Sequence, residues 1–335
     1  MLRNETAASP ERAAAALKGL RRYQEAPRPG RPAAMPVLAA HGRARLLDYG
    51  SEGAPPVLFV PSLINPPHVL DLSEGRSLLR WLAGQGARPL LLDWGSPAAD
   101  ERDLSIAGHV ETLLVPLIDK ATAACGAMPA LAGYCLGGTM VLGAAMHRAP
   151  PAVALVAAPW RFAGFPDAAR EGLRALWEQA APAAERIGLM PMEVLQTAFW
   201  RLDPRRTVEK FIRFGALDPA SEEAATFVTL EDWANDGPPL TRAAGRELVE
   251  DCFGADLPGT GRWQVAGAVV RPEALACPIL NLVSTVDRIV PAASAAPVGE
   301  RLLLGEGHVG MIVGRRAEQA LWQPLARWLA KHAAS

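Results

Sequence analysis

An α/β architecture, with a mostly parallel sheet flanked by helices and an inserted helical cap, is predicted by three observations. Short apolar runs bounded by proline or glycine recur at 56–60, 89–93, 130–134, 153–156 and 278–283, the length and texture of strands buried on both faces. Helical periodicity occupies most of the intervals between them, the alternation that builds a parallel sheet. From about Trp160 to Val270 strand signals disappear and helical segments follow one another, after which the strand pattern resumes.

In chain order, residues 1–35 are rich in Ala, Arg and Pro and read as an N-terminal extension and linker, with a short amphipathic helix at Pro10–Tyr23. Val37–Ala40 and Ala44–Tyr49 flank His41-Gly-Arg43 and predict a hairpin. Pro56-Val-Leu-Phe-Val60 follows as a buried strand, and Ser77–Gly84 as a helix. Pro89–Asp93 is the next strand, Ile106–Ala124 a helix, Ala130–Tyr134 a strand, Leu136–His147 a helix rich in small residues and Val153–Val156 a strand. These make residues 36–160 the first part of the core. Residues 161–270 form the cap, with helices expected at 171–184, 193–201, 207–214, 220–227 and 240–253. Its tryptophans at 160, 177, 200, 233 and 263 are assigned to a small core of its own. Residues 271–335 return to the sheet with strands at Pro278–Val283 and Arg301–Leu304, and a helix at 315–332 closes the chain.

Composition narrows the function. The 335 residues are half hydrophobic, with 34 basic against 35 acidic side chains, and no basic block interleaved with aromatics. Nucleic acid is therefore not an expected partner. Four scattered cysteines without C-x-x-C spacing suit a reducing compartment and give neither a disulfide framework nor a metal site. The charged start of the chain lacks the apolar core of a secretory signal, so a cytoplasmic location is expected. Met128–Met146 is free of charge for 19 residues, but Pro129 and its glycines break it as a membrane span.

That same stretch carries the chemistry. Gly133-Tyr-Cys-Leu-Gly137 puts Cys135 at the apex of a strand–turn–helix, the G-x-S-x-G elbow of hydrolases with cysteine in place of serine. A residue there projects above the sheet edge, close to the free amides of a helix N-terminus. Thiol chemistry needs the thiolate, and a helix terminus with a partner histidine is the setting that favours it. The amide of Leu136 is one expected oxyanion donor. The Pro61–Asn65 turn, through Leu63 or its neighbour, is expected to supply the second. The other cysteines, Cys125, Cys252 and Cys277, read as small buried hydrophobes.

The order Cys135, Asp287, His308 is the nucleophile–acid–histidine order of the α/β-hydrolase fold, each residue following a predicted strand. His308 would take the thiol proton and Asp287 would fix its tautomer. Asp93 is a rival acid, disfavoured because the acid of this fold comes late in the chain. His41, His68, His109, His147 and His332 lie in settings that suggest surface or structural roles. No G-x-G-x-x-G or G-K-[ST] motif points to a nucleotide cofactor, and no cluster points to a metal.

With these residues in place, the chain from about Val37 onward resembles polyhydroxyalkanoate synthases, in particular the short class III catalytic subunits. The likeness lies in Pro61-Ser-Leu-Ile-Asn65, Val69-Leu-Asp-Leu72, Arg76-Ser-Leu78, Leu92-Asp-Trp-Gly95, Gly133–Thr139, Trp233–Pro238, Leu280–Pro291 and Gly307-His-Val-Gly310. Two departures stand out. Arg288 follows the acid where the family has histidine, and the segment between Asp287 and His308 is short, which predicts a trimmed helix there. The resemblance implies an α/β-hydrolase-superfamily acyltransferase that polymerises 3-hydroxyacyl-coenzyme A through Cys135, His308 and Asp287. It also implies a growing polyester chain, a homodimer, a non-catalytic class III partner subunit and a place at polymer granule surfaces. Acyl-coenzyme A would be a substrate, with no cofactor required. Arg161, Arg201 and Arg213 are candidates to meet its phosphates, as cations of the cap. The same residues would equally build a thioesterase or depolymerase, or a non-catalytic relative that binds granules or partners.

Overall fold

The computed structural model describes residues 2–333 and gathers eight strands into one sheet. They are β1 (Val37–His41), β2 (Ala44–Asp48), β3 (Pro56–Val60), β4 (Arg88–Asp93), β5 (Ala130–Tyr134), β6 (Val153–Val156), β7 (Ile279–Ser284) and β8 (Glu300–Leu304). Their spatial order is β1-β2-β4-β3-β5-β6-β7-β8. The β1–β2 hairpin is antiparallel and β2 runs antiparallel to β4; every other pairing is parallel.

Alternation along the central strands explains why they read as continuous apolar runs. Leu58 and Val60 of β3 face one hydrophobic core, while Val57 and Phe59 face the other. Likewise Leu90 and Leu92 oppose Leu91. Both faces need an apolar covering, so side chains of both parities are hydrophobic. One face is covered by helices at Val115–Cys125 and Leu136–Ala145, through Leu117, Ile118, Met140 and Val141. The other is covered by Leu78–Gly84, which Ser77 caps, and by Gln323–His332. The predicted helix from Ile106 is widened at Val110–Leu114 into a π-turn. Pro116 lacks the N–H that an unbroken α-helix would bond to Thr112.

Between β6 and β7 the chain is mainly helical, with Asp167–Ile187, Met192–Leu202, Pro204–Phe214, Glu222–Asn235 and a helical stretch over Arg242–Gly254. Four two-residue strands also occur near or within it: Leu189–Met190 pairs with Leu240–Thr241, and Gln264–Val265 with Ala268–Val269. Pieces this short carry no periodicity to read.

The N-terminal extension is not free of the rest. Its helix, Pro10–Glu25, begins at the Ser9 cap and lies along Pro204–Phe214. A Cβ on Gly19 would fall 1.8 Å from the carbonyl oxygen of Phe211, so the two helices touch backbone to backbone at that point. Tyr23 packs its ring edge-on to Phe211 and Phe227 and donates its hydroxyl to Asp232 at 2.6 Å. Arg12 pairs with Glu209.

Candidate active site

Cys135 stands between β5 and the helix from Leu136 with φ 56° and ψ −134°, a backbone conformation that side chains other than glycine's rarely adopt. Its neighbours hold it there. The Cys135 amide donates to Val156 in β6 at 3.0 Å, and its carbonyl accepts from Gly138 at 2.9 Å. A Cβ on Gly133 would lie 2.4 Å from the Cα of Gly138, and one on Gly137 would lie 2.0 Å from the carbonyl oxygen of Val60. Only hydrogen fits at either place. The bend is therefore packed directly onto the end of β3.

Asp287 and His308 are delivered by the loops after β7 and β8. Asp287 turns its own loop with Oδ1, which accepts from the amides of Ile289 at 2.7 Å and Val290 at 3.0 Å. Its Oδ2 is 2.6 Å from Nδ1 of His308, with both side chains almost wholly buried. Ser284 ties the two loops together by donating to the carbonyl of Glu306 at 2.6 Å and accepting from Val286. The short 287–308 segment still delivers the imidazole. A single helical turn at Ala292–Ser294 and strand β8 span it. Arg288, largely exposed, pairs with Asp203 on the helical segment.

Burial disfavours a charged His308, but the negative charges of Cys135 and Asp287, with hydrogen bonds to both side chains, override it and raise its pKa to about 10. Tyr134 completes the setting. Its ring stacks on that of His308 with centroids 5.0 Å apart, and its hydroxyl donates to the His308 carbonyl at 3.2 Å. Burial, followed by the charges of Cys135 and Asp287, pushes the phenol well above its ordinary pKa, so it remains a donor.

Cys135, Tyr134 and His308 line a cavity of ≈ 220 Å³. The β3 loop contributes Pro61, Ser62, Ile64 and Asn65. The helical segment contributes a further wall: Gln196, Phe199, Trp200, Thr207, Lys210, Glu231, Trp233 and Asn235. Trp233 is anchored by its indole N–H to the carbonyl of Pro66 at 2.8 Å.

The expected oxyanion contributors take different positions. Leu136 opens its helix directly after Cys135, and its side chain is buried in the core. Leu63 is buried in the same core while its loop neighbours face the cavity. Asp93 is occupied elsewhere, by Arg45 at 2.5 Å and the amide of Gly95. His109 is locked between Arg43 and the carbonyl of Ser105, His147 contacts the carbonyl of Val265, and His332 packs on Trp328. All four cysteines are free. Among the described residues there is no group of side chains able to hold a metal ion, and no helix is long and apolar enough to cross a membrane.

Two expectations change. Trp160, Trp177 and Trp263 are buried in the core that also packs one face of the sheet. Trp233 is buried in the other core and lines the cavity as well, and Trp200 lines the cavity while partly exposed. Arg161, Arg201 and Arg213 are exposed and do not line it; the cation that does is Lys210. Helical periodicity places a residue on a face without saying what that face meets, so Lys210 and Glu231 had no readable signal. Trp233 did have one, in the Trp233–Pro238 motif.

No family model matches the chain. It is 28% identical over 315 residues to the poly(3-hydroxyalkanoate) polymerase subunit PhaC of Haloferax mediterranei, covering 88% of this chain and 63% of that protein. The subunit of the same name from Haloarcula marismortui is 25% identical, with 87% and 66% covered. That of Allochromatium vinosum is 26% identical, with 88% of both covered. The chain thus spans a little under two thirds of the first two relatives and most of the third. Among solved structures, a monoacylglycerol lipase of Paleococcus ferrophilus aligns with TM-score 0.50 and 16% identity, over 87% of this chain and all of that one. A Sulfolobus solfataricus structure aligns with TM-score 0.53 and 13% identity, over 86% and 94%. The fold is that of the α/β-hydrolases, and the sequence is similar to poly(3-hydroxyalkanoate) polymerase subunits over most of its length.

Proposed function

We propose that this chain is an acyltransferase that joins 3-hydroxyacyl groups from coenzyme A thioesters into a polyester, with Cys135 as nucleophile, His308 as its proton partner and Asp287 as the group that orients His308. The observation carrying this is the series Cys135–His308–Asp287 at the carboxyl ends of the strands, its histidine and acid buried and its cysteine lining the cavity, in a chain similar to the polymerase subunits. The helical segment, residues 161–270, acts as the cap that keeps water from the acyl-enzyme.

In the first half-reaction the Cys135 sulfur attacks the thioester carbonyl, its proton having passed to His308. The tetrahedral oxyanion is met by the amides of Leu136 and Leu63. Collapse breaks the carbon–sulfur bond to coenzyme A, and the departing thiolate takes the proton from His308. One thioester replaces another, so this step is nearly balanced in energy. Acylation also removes the charge of Cys135, the largest of the influences that raise His308. The neutral imidazole then accepts the proton of an incoming hydroxyl as that oxygen attacks the acyl group. The carbon–sulfur bond breaks, an oxoester forms and the proton returns to sulfur. Formation of the ester in place of the thioester drives the cycle forward.

Incubation with 3-hydroxybutyryl-coenzyme A tests this. Thiol release, insoluble polymer and a covalent acyl mass on Cys135 are expected, with all three absent in Cys135→Ala. Release of free acid alone would identify a hydrolase. No thiol release, with or without an added class III partner subunit, or release that persists in Cys135→Ala, would overturn the mechanism. The partner subunit, a homodimer and the granule surface belong to the same proposal, and sedimentation with and without polymer checks them.

A further inference from the structure

The cavity that Cys135 lines is largely apolar, yet its lining also carries an ion pair. Nζ of Lys210 donates to both carboxylate oxygens of Glu231, at 2.8 and 2.7 Å, joining helix Pro204–Phe214 to helix Glu222–Asn235. The Glu231 side chain is only 11% exposed. The Lys210 side chain keeps 32% of its surface exposed, so it is the carboxylate that has largely left water. That costs free energy which the pairing does not reliably return, and a packed apolar pair would brace the helices at least as well.

The neutral polar groups on that helical wall also have protein partners. The Thr207 hydroxyl donates to the carbonyl of Asp203, and the Asn235 amide donates to the carbonyl of Glu231 and accepts from Gln196. The ion pair keeps capacity. An ammonium has three protons and this one uses two, while a carboxylate has about four acceptor sites, of which two are used here. A spare donor thus sits beside a spare acceptor, on the lining of the cavity that Cys135 also lines.

We infer that Lys210 and Glu231 form the recognition site for the hydroxyl of the 3-hydroxyacyl group, a reading that rests on the acyl transfer proposed above. The hydroxyl donates to Glu231 and accepts from Lys210, which a plain acyl chain cannot do. A substrate without that hydroxyl leaves the pair dehydrated and unmatched, and the site discriminates against it.

The test is the rate at which Cys135 gains an acyl mass from 3-hydroxybutyryl-coenzyme A and from butyryl-coenzyme A. In the unaltered protein the hydroxylated substrate is expected to be faster by about tenfold or more, the range of a hydrogen bond to a charged group. In Glu231→Gln, and separately in Lys210→Gln, that ratio falls towards one. The two variants are made independently so that a folding failure in one leaves the other to decide. A ratio that survives in the variants, because both rates are unchanged or fall together as they would on loss of a helix brace or of a contact to the pantetheine arm, overturns the inference. So does a ratio near one in the unaltered protein. If neither thioester labels Cys135, it is the acyl transfer itself that has failed.

Discussion

Tyr134 holds His308 twice, by the face of its ring and by a hydrogen bond to the backbone of the same residue. The tyrosine precedes Cys135 in the chain, so the residue leading into the bend also fixes the imidazole that arrives 174 positions later. Removing the hydroxyl alone, in Tyr134→Phe, keeps the stacked ring and is expected to cost about 1 kcal/mol of stability. Tyr134→Ala removes both contacts and leaves a cavity, at about 3–5 kcal/mol. Thermal unfolding checks both, and Cys135 labelling is expected to slow far more in the alanine variant.

Asp287 is expected to matter through tautomer and charge rather than through folding of its loop. Asn in its place can still accept from Ile289 and Val290 through one oxygen, but it presents an N–H to the imidazole where a carboxylate stood. Asp287→Asn should retain its circular dichroism and lose acyl transfer on the order of 10³–10⁴-fold. Its His308 should titrate lower by NMR, since a charge that raises it is gone. The same downward movement is expected in Cys135→Ala.

The bend admits no added carbon at Gly137. Gly137→Ala would drive a methyl into the carbonyl of Val60, with the approach set by backbone on both sides, and should destabilise by about 1–3 kcal/mol or more. Labelling of Cys135 should fall with it. Gly75→Ala has open space around the new carbon and serves as the control, expected to unfold at the same temperature as the parent.

Stability should decline at both ends of the pH scale for opposite reasons. His308 is raised from 6.5 to about 10, so its contribution is complete below pH 6.5 and is lost as pH climbs through about 10. His109 and His68 are lowered to about 4, chiefly by burial and then by the charges of Arg43 and Arg31. Each is therefore favoured neutral in the folded protein. Their contribution is complete above pH 6.5 and fades as pH falls through about 4, worth ~3 kcal/mol for the buried His109 at about 1.4 kcal/mol per pKa unit. Chemical denaturation at a series of pH values measures both limbs. His109→Gln should flatten the acid limb, and His308→Gln the alkaline one.

The sheet and the series Cys135–His308–Asp287 were legible because each is written locally. A strand buried on both faces is a bounded apolar run, and a residue of the series follows such a run at a turn marked by glycine or by a loop. Cys135 also carries its glycines with it. What could not be read depends on how separate helices meet. Lys210 and Glu231 are 21 positions apart on different helices, and nothing in either helix names the other. Pro10–Glu25 was readable as an amphipathic helix but not as one seated on Phe211 and Phe227. The exposed arginines 161, 201 and 213 show the converse: charge on the right segment does not place it at the cavity.

The seat of Gly19 against Phe211 reaches further than the terminus itself. Lys210 is the residue next to Phe211, and Asp232, held by Tyr23 and Arg28, is the residue next to Glu231. The first few dozen residues therefore act as a splint across the outside of the wall whose inside faces the sulfur. Trimming them, or crowding them with a fused tag, would slacken that wall from behind, and a change in substrate preference would report damage done far from the bend.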